Sequence, residues 1–278
     1  MRADELKGKR VGVVLSAGYF GFYGHAGFVD ALHELGIVPR AWAGTSAGGL
    51  IAAFCAAGAS PKEITDILST LRREHFWDPD YLGIAIDSVK KGPRSSGLLK
   101  GDRFRKLLEG HLRARTFDAL PTPLLIVATN LTTQAPVVIT TGDLATAIHA
   151  TCAYPGLFQA VRHESGLLWD GGIVDKAPAL ALSESAAGLA LDAILVHYLP
   201  SHEAPVEPGG AFAYASGLAA GFAAVRQDHF RLQLEVLKAR GVPTFVVTSH
   251  LPPVSPTTMK AGVDAIKAGR ESALRALS

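Results

Sequence analysis

What this chain has little of narrows its class first. Of 278 residues only two are cysteine, Cys55 and Cys152, and both sit among small apolar neighbours. That argues against a disulfide framework or a metal pair and for two buried thiols. No His, Cys and carboxylate cluster has metal-ligand spacing, so no metal and no cofactor is expected. Charge is also sparse: Asp, Glu, Lys and Arg make up 19% of the chain, below the usual quarter, and the net charge is +2. The basic residues are scattered apart from Lys90, Lys91 and Arg94, so the basic stripe that nucleic acid needs is missing. No apolar run reaches the ~18 residues of a membrane span. Val11–Leu15 is too short for a signal-peptide core. The expected localisation is therefore cytoplasmic, with peripheral contact at a membrane left open. No linker or internal repeat divides the chain, so residues 1–278 are expected to form one domain. Nothing fixes an oligomeric state.

What is present is a large apolar share, 48%, arranged as alternating strands and helices. Val11–Leu15 reads as a buried strand, followed by a glycine- and aromatic-rich loop from Ser16 to Gly24. His25–Leu35 has helical periodicity and stops at Gly36. Ile37–Ala43 is a second strand, and Ala47–Ala57 a helix of small residues. Ser60, Pro61 and Glu63 form a helix start, and Asp102–Leu112 is a further amphipathic helix. Pro123–Asn130 and Pro136–Thr140 read as partner strands, and Leu144–Cys152 as a helix. Gly166–Trp169 is a short strand; Asp192–Leu199 and Pro243–Ser249 are late core strands. Asp102, Glu109 and Asp143 are helix-start or helix-face charges. Ala211–Val225, with Gly217 and Gly221 four apart, is expected to be a tightly packed core helix. A lipid- or dimer-facing helix is the alternative. The expected fold class is α/β: a three-layer sandwich around a mainly parallel central sheet.

The chemistry centres on Gly44-Thr45-Ser46-Ala47-Gly48, a G-x-S-x-G pentapeptide between a strand and a helix. A serine on such a turn is pushed out of the backbone, and small neighbours are needed to make the turn. Its hydroxyl needs a base and an oxyanion hole. Three readings compete. The first is a triad with a late histidine, from His197, His202, His229 or His250. Only two strands precede Ser46, which is early for that arrangement. The second is a dyad with Asp170, which stands between a short strand and Gly171-Gly172. Partial burial would raise its pKa and make it a better base. The third is a turn serine with no reaction.

Four ordered segments carry a resemblance. Leu15-Ser-Ala-Gly-Tyr-Phe-Gly-Phe-Tyr-Gly-His-Ala-Gly27 precedes the pentapeptide; Ala128-Thr-Asn-Leu-Thr-Thr133, Ala150-Thr-Cys-Ala-Tyr-Pro-Gly-Leu-Phe158 and Asp170-Gly-Gly with Pro178 follow it. Over about residues 10–180 the chain resembles the patatin-like acyl hydrolases, a family of lipid-cleaving esterases and phospholipases. The resemblance implies a patatin-like fold and a Ser46–Asp170 dyad acting through an acyl-enzyme on a lipid or ester substrate. It implies an oxyanion hole in the glycine-rich loop, with Ala17, Gly18 and Tyr19 as donors beside Ala47. Acyl transfer on the same fold, or lipid binding with little turnover, are the alternatives. The family's loop cation is absent, because Gly21 stands in its place, so simple esters and neutral lipids are expected to compete well. Tyr19, Phe20, Phe22 and Tyr23 offer either an apolar rim for acyl chains or packing beneath the helix. His25 matches a family loop histidine and is expected to fix the loop through a backbone bond. Asp175 and Lys176 are expected to form a solvated or loop-fixing pair. Contact of Lys176 with an anionic head group is the minority alternative.

Overall fold

Each strand near the middle of the sheet buries both of its faces, and the two faces belong to different cores. Val13, Leu15, Trp42, Ile126 and Leu195 pack into one apolar cluster. Val14, Ala43, Leu125, Val127, Ile194 and Val196 pack into a second. Side chains alternate across a strand, so this division requires a helical layer on each side of the sheet. A computed structural model describes residues 3–81, 97–185, 191–201 and 213–278. Lys90, Lys91, Arg94 and His202 lie outside the described residues.

In chain order the elements are β1 Val11–Leu15, α1 Phe22–Glu34, β2 Pro39–Thr45, α2 Ala47–Ala56 and α3 Pro61–Thr70. Next come β3 Gly97–Leu99, α4 Asp102–His111, β4 Leu124–Asn130, β5 Ala135–Ile139 and α5 Leu144–Cys152. Then follow β6 Gly156–Phe158, β7 Val161–His163, β8 Gly166–Asp170 and α6 Ala179–Ser185. The chain closes with β9 Ala193–Tyr198, α7 Ala213–Ala239, β10 Thr244–Thr248 and α8 Gly262–Leu277. The main sheet runs β10-β9-β1-β2-β4-β8-β7, with β5 also paired to β4. Strands β10, β9, β1, β2 and β4 are mutually parallel; β5, β8 and β7 join antiparallel. This is the expected mainly parallel three-layer arrangement. No helix among the described residues is long and apolar enough to cross a membrane.

Local chemistry explains several boundaries. Ser60 and Glu63 form a reciprocal capping box at the start of α3. Asp143 caps α5 by accepting from Thr146 N–H at 2.7 Å. Asp102 lies in the first turn of α4, and Glu109 accepts from Arg105 at 3.1 Å one turn away. Three expectations are corrected. Helix α1 begins at Phe22 rather than His25, because His25 N–H already donates to Gly21 C=O at 3.0 Å. Strand β2 is shifted toward the serine: it starts at Pro39 and runs through Thr45. The helix expected over Ala211–Val225 is α7, which is described from Ala213, and of its described side chains up to Val225 only Ala223 is buried. Phe222 and Val225 are 51% and 68% exposed, and no atom lies within 4 Å of a Cβ built on Gly217 or Gly221.

Glycines make close approach possible elsewhere, where α8 crosses α1. A Cβ on Gly27 would lie 1.8 Å from Ile266 O, and one on Gly269 would lie 2.1 Å from Gly24 O. Both clashes are with backbone, so neither helix can yield locally. Gly27→Ala is therefore expected to lose about 1–3 kcal/mol of unfolding free energy or more. Gly217→Ala, in open space on α7, should gain roughly 0.5–1 kcal/mol. Urea denaturation of the two variants checks this; changes of the same sign would refute the assignment of crowding to α1 alone.

Candidate functional site

Strand β2 ends at Thr45 and α2 begins at Ala47, which leaves Ser46 to make the whole turn. It does so at φ 54° and ψ −124°, a region that costs a non-glycine residue about 1–3 kcal/mol. The strain is held by surrounding bonds. Ser46 N–H donates to Thr151 Oγ1 at 2.8 Å, and that hydroxyl donates to Val127 C=O at 2.5 Å. The flanking glycines answer to packing: a Cβ on Gly44 would meet the Gly48 carbonyl at 2.6 Å, and one on Gly48 would meet Leu15 O at 2.0 Å.

Asp170 is the last residue of β8, opposite Ala128 of β4. The pairing carries its carboxylate to the serine. Ser46 Oγ–H donates to Asp170 Oδ2 at 2.6 Å, while Oδ1 accepts from Gly172 N–H at 2.7 Å. Asp170 is only 4% exposed. Burial raises its pKa to about 6, against the pull of the bonds from Ser46 and Gly172 and of the Arg226 charge. Gly171 and Gly172 lie where side chains have no room: a Cβ would be 2.1 Å from Val127 O at the first and 2.7 Å from Ala17 Cβ at the second.

The loop after β1 faces this pair but differs from expectation at one donor. Ala17 N–H is engaged, donating to Lys176 C=O at 2.7 Å, so Ala17 anchors the loop and is removed from the oxyanion candidates. Gly18, Tyr19 and Ala47 remain; no hydrogen bond among the described residues uses their N–H groups. A turn closed by Gly21 N–H to Gly18 C=O at 2.9 Å, with Phe20 at φ 51°, shapes the loop. A side chain at Gly21 would collide with Leu199, whose Cδ1 lies 2.4 Å from the Cβ position.

His25 fixes the loop, as expected. Its Nε2 bonds Ser16 C=O at 2.7 Å and its Nδ1 meets His197 Nδ1 at 2.8 Å. His197 Nε2 in turn meets Ser249 Oγ at 2.8 Å. Ser16 O can only accept, so neutral His25 carries its proton on Nε2, and His197 must donate from Nδ1. Burial holds the His25 pKa down to about 4. This engagement removes His197 from the candidate bases. Neither His229, which bonds Gln233 at 3.3 Å, nor His250 bonds Ser46.

Ser46, Asp170 and the loop open on a cavity of about 810 Å³. Its walls include Phe54, Ile67, Leu71, Phe76, Phe104 and Leu107. The four loop aromatics divide between the two roles considered. Tyr19, Phe20 and Phe22 line the cavity, and Tyr19 is 65% exposed at its rim. Tyr23 is buried against Gly262 of α8. Cys152 also lines the cavity; both cysteines are unpaired, and burial pushes both thiols up. Asp175 and Lys176 are buried, which removes the solvated alternative of the two expected and leaves the loop-fixing one, since Lys176 C=O holds Ala17. Asp175 accepts from Gln233 at 2.8 Å, and Lys176 donates to Ser201 Oγ at 2.8 Å. Thr151, Ser201 and Arg226 escaped the sequence reading. Only Thr151 left a trace, inside the Ala150–Phe158 segment. Among the described residues, no three His, Cys or carboxylate groups converge as metal ligands do.

Comparison with known proteins bears on the family and the fold. A family model described as patatin-like phospholipase matches residues 13–183, more than half of the chain. An uncharacterized NTE family protein of Mycobacterium bovis is 27% identical over 177 residues, covering 64% of this chain and 29% of its own. A second, from Mycobacterium tuberculosis, is 28% identical over 197 residues, covering 66% and 52%. The chain thus spans about half or less of the length of these relatives. Among solved structures, VipD from Legionella pneumophila superposes with a TM-score of 0.51 at 16% identity, covering 96% of this chain and 66% of that one. That likeness is one of fold.

The raised pKa of Asp170 has a consequence for stability. A folded-state pKa of about 6, above the ordinary 3.8, means the folded protein binds the proton more tightly than the unfolded chain. The corresponding stability is complete below pH 3.8 and is lost as pH rises through about 6. Asp170→Asn is therefore expected to unfold at higher urea than the wild type at pH 8, by on the order of 2 kcal/mol. The gap should close near pH 4. A variant less stable than wild type at pH 8 would show that the carboxylate is not destabilised by burial.

Proposed function

Because the chain belongs to the patatin-like phospholipase family, we propose that it is a lipid acyl hydrolase in which Ser46 and Asp170 act as a catalytic dyad. One observation carries this reading: the Ser46 hydroxyl donates to a buried carboxylate at 2.6 Å in the wall of a large, mainly apolar cavity. Ser46 Oγ attacks the ester carbonyl while Asp170 takes its proton. Negative charge on the carbonyl oxygen is received by N–H groups of Gly18, Tyr19 and Ala47. Collapse expels the alcohol, which leaves with the proton from Asp170, and an acyl-enzyme remains. Water then attacks the acyl-enzyme while Asp170 takes its proton, and the bond to Ser46 Oγ breaks as that proton passes to Oγ, releasing the fatty acid and restoring the dyad. A carboxylate with a pKa of about 6 is a far better base than an ordinary aspartate, yet still ionised at neutral pH. The cavity's hydrocarbon walls suit an acyl chain. We read residues 1–278 as one domain; support comes from β9, which lies beyond the family match yet pairs directly with β1.

Hydrolysis of a short-chain nitrophenyl ester tests the reading. Ser46→Ala should lower kcat by about a thousandfold or more, and Asp170→Asn by about a hundred- to ten-thousandfold. In the wild type, kcat/KM should rise with pH through about 6, where Asp170 ionises, and level off above it. A fluorophosphonate should label Ser46 stoichiometrically. Wild-type turnover in either folded variant, or failure of labelling, would refute the dyad; fatty acid passing only to a lysolipid acceptor would assign acyl transfer instead.

A further inference from the structure

The loop that faces Ser46 starts from a peptide group held on both of its edges, the one between Ser16 and Ala17. Its C=O accepts from His25 Nε2–H at 2.7 Å, and its N–H donates to Lys176 C=O at 2.7 Å. Ser16 is tied at its remaining polar atoms as well. Its N–H donates to His197 C=O at 3.1 Å, and its Oγ accepts from Leu199 N–H at 2.9 Å. The next two N–H groups along the chain, those of Gly18 and Tyr19, are the oxyanion candidates. Their direction is inherited from the held peptide, because peptide groups are planar and only the dihedrals of Ala17 and Gly18 intervene.

The bond to Ser16 C=O is the last of three that run from the cavity wall. Ser249 follows β10, is buried, and lines the cavity. Its Oγ lies 2.8 Å from His197 Nε2, and His197 Nδ1 lies 2.8 Å from His25 Nδ1. With His25 protonated at Nε2 and His197 at Nδ1, His197 Nε2 is a bare acceptor, so the Ser249 O–H must donate to it. All three donors therefore point toward the loop, and bonds arranged head to tail polarise one another. Both rings are fully buried, and Phe28 stacks on His197 at 4.2 Å and 6°. Burial also keeps both rings neutral, as the alternation of donor and acceptor requires. Reversing one member would set two donors or two acceptors face to face in a buried interior, so the order of the whole chain is fixed from either end.

We propose that His197 and Ser249 are positioning residues for the reaction: through His25 they form a relay that aims the Gly18 and Tyr19 N–H groups at the oxyanion. The proposal rests on the hydrolase reading above. Both residues lie beyond residues 13–183, so a loop inside the family match is aimed by a part of the chain outside it. Oxyanion donors act on charge that develops in the transition state, and a displacement of about 1 Å is enough to weaken them. Loss of the relay is therefore expected in kcat rather than in KM.

Ser249→Ala removes one oxygen at the far end of the relay. With a short-chain nitrophenyl ester it should lower kcat, counted per fluorophosphonate-labelled serine, by about tenfold to a hundredfold, with KM within about twofold of wild type. Ser249→Thr keeps the hydroxyl and should recover most of the loss. His197→Asn keeps an N–H near the Nδ1 position and should retain more activity than His197→Leu. Asp192→Asn is the control, since it weakens the 2.8 Å ion pair with Arg10 at the opposite end of β1 and β9. It should leave kcat unchanged even where it lowers stability. An unchanged kcat in Ser249→Ala, a change in KM alone, or an equal loss in Ser249→Thr or in Asp192→Asn overturns the proposal. Nitrogen-15 NMR of the histidine rings should find His25 protonated at Nε2 and His197 at Nδ1; the other tautomer in either ring overturns it too. If the wild type turns over no ester, the hydrolase reading has failed, and the relay is judged by backbone amide signals. Those of Gly18 and Tyr19 should shift in Ser249→Ala and stay in place in Asp192→Asn; signals unmoved in both variants would show that the relay does not aim the loop.

Discussion

The bond between Ser46 and Asp170 sets the terms for the structure around it. It joins a turn that leaves β2 to a turn that leaves β8, and β4 lies between those strands in the sheet. For two short side chains to meet across an intervening strand, both turns must lie almost on that strand. Gly171 achieves this by resting against the Val127 carbonyl. Thr151 achieves it from the other side, bridging that same carbonyl to the Ser46 N–H. Val127 is thus the shared floor of the site. The carboxylate is buried because of this construction, and burial is what lifts its pKa.

The parts of the fold that were legible in the sequence are those governed by nearby residues. Ser60 with Glu63, and Asp143 before Leu144, are caps whose partners lie three residues away, and both helices begin where the caps say. Ser46 and Asp170 were legible for a different reason. Close backbone approach leaves glycines at Gly44, Gly48, Gly171 and Gly172, and glycines in a fixed pattern can be read. Helix α1 was misplaced because Gly24 and Gly27, which look like loop residues, are helical positions emptied for Leu251 and for α8. The small residues of α7 posed the opposite problem. Alanine and glycine permit tight packing but do not require it, and composition alone could not tell the two apart.

Long-range polar contacts were invisible for lack of any local mark. Nothing near Ala17 announces that its N–H is taken by Lys176 C=O, and nothing near Arg226 announces that it enters the cavity. The Ala17–Lys176 bond matters because it ties the loop facing the serine to the chain just past the aspartate. The two candidate halves of the site, base and oxyanion donors, are held by one short segment, Asp170–Lys176. Gln233 of α7 grips that segment at Asp175. The part of the chain beyond the family match therefore contributes rigidity to residues that lie within it.

The position of β1 between β2 and β9 also shapes how the molecule comes into being. During synthesis β1 and β2 emerge early, while β9 follows only after some hundred and fifty further residues. Until then β1 presents an open, wholly apolar edge, a template for pairing with another chain. Parallel pairings of such separation also form slowly, since loop closure precedes any gain from contact. A nascent chain of this protein thus passes through a long interval with its most hydrophobic strand unprotected. Its yield in the cell depends on how well that one edge is shielded before residue 193 arrives.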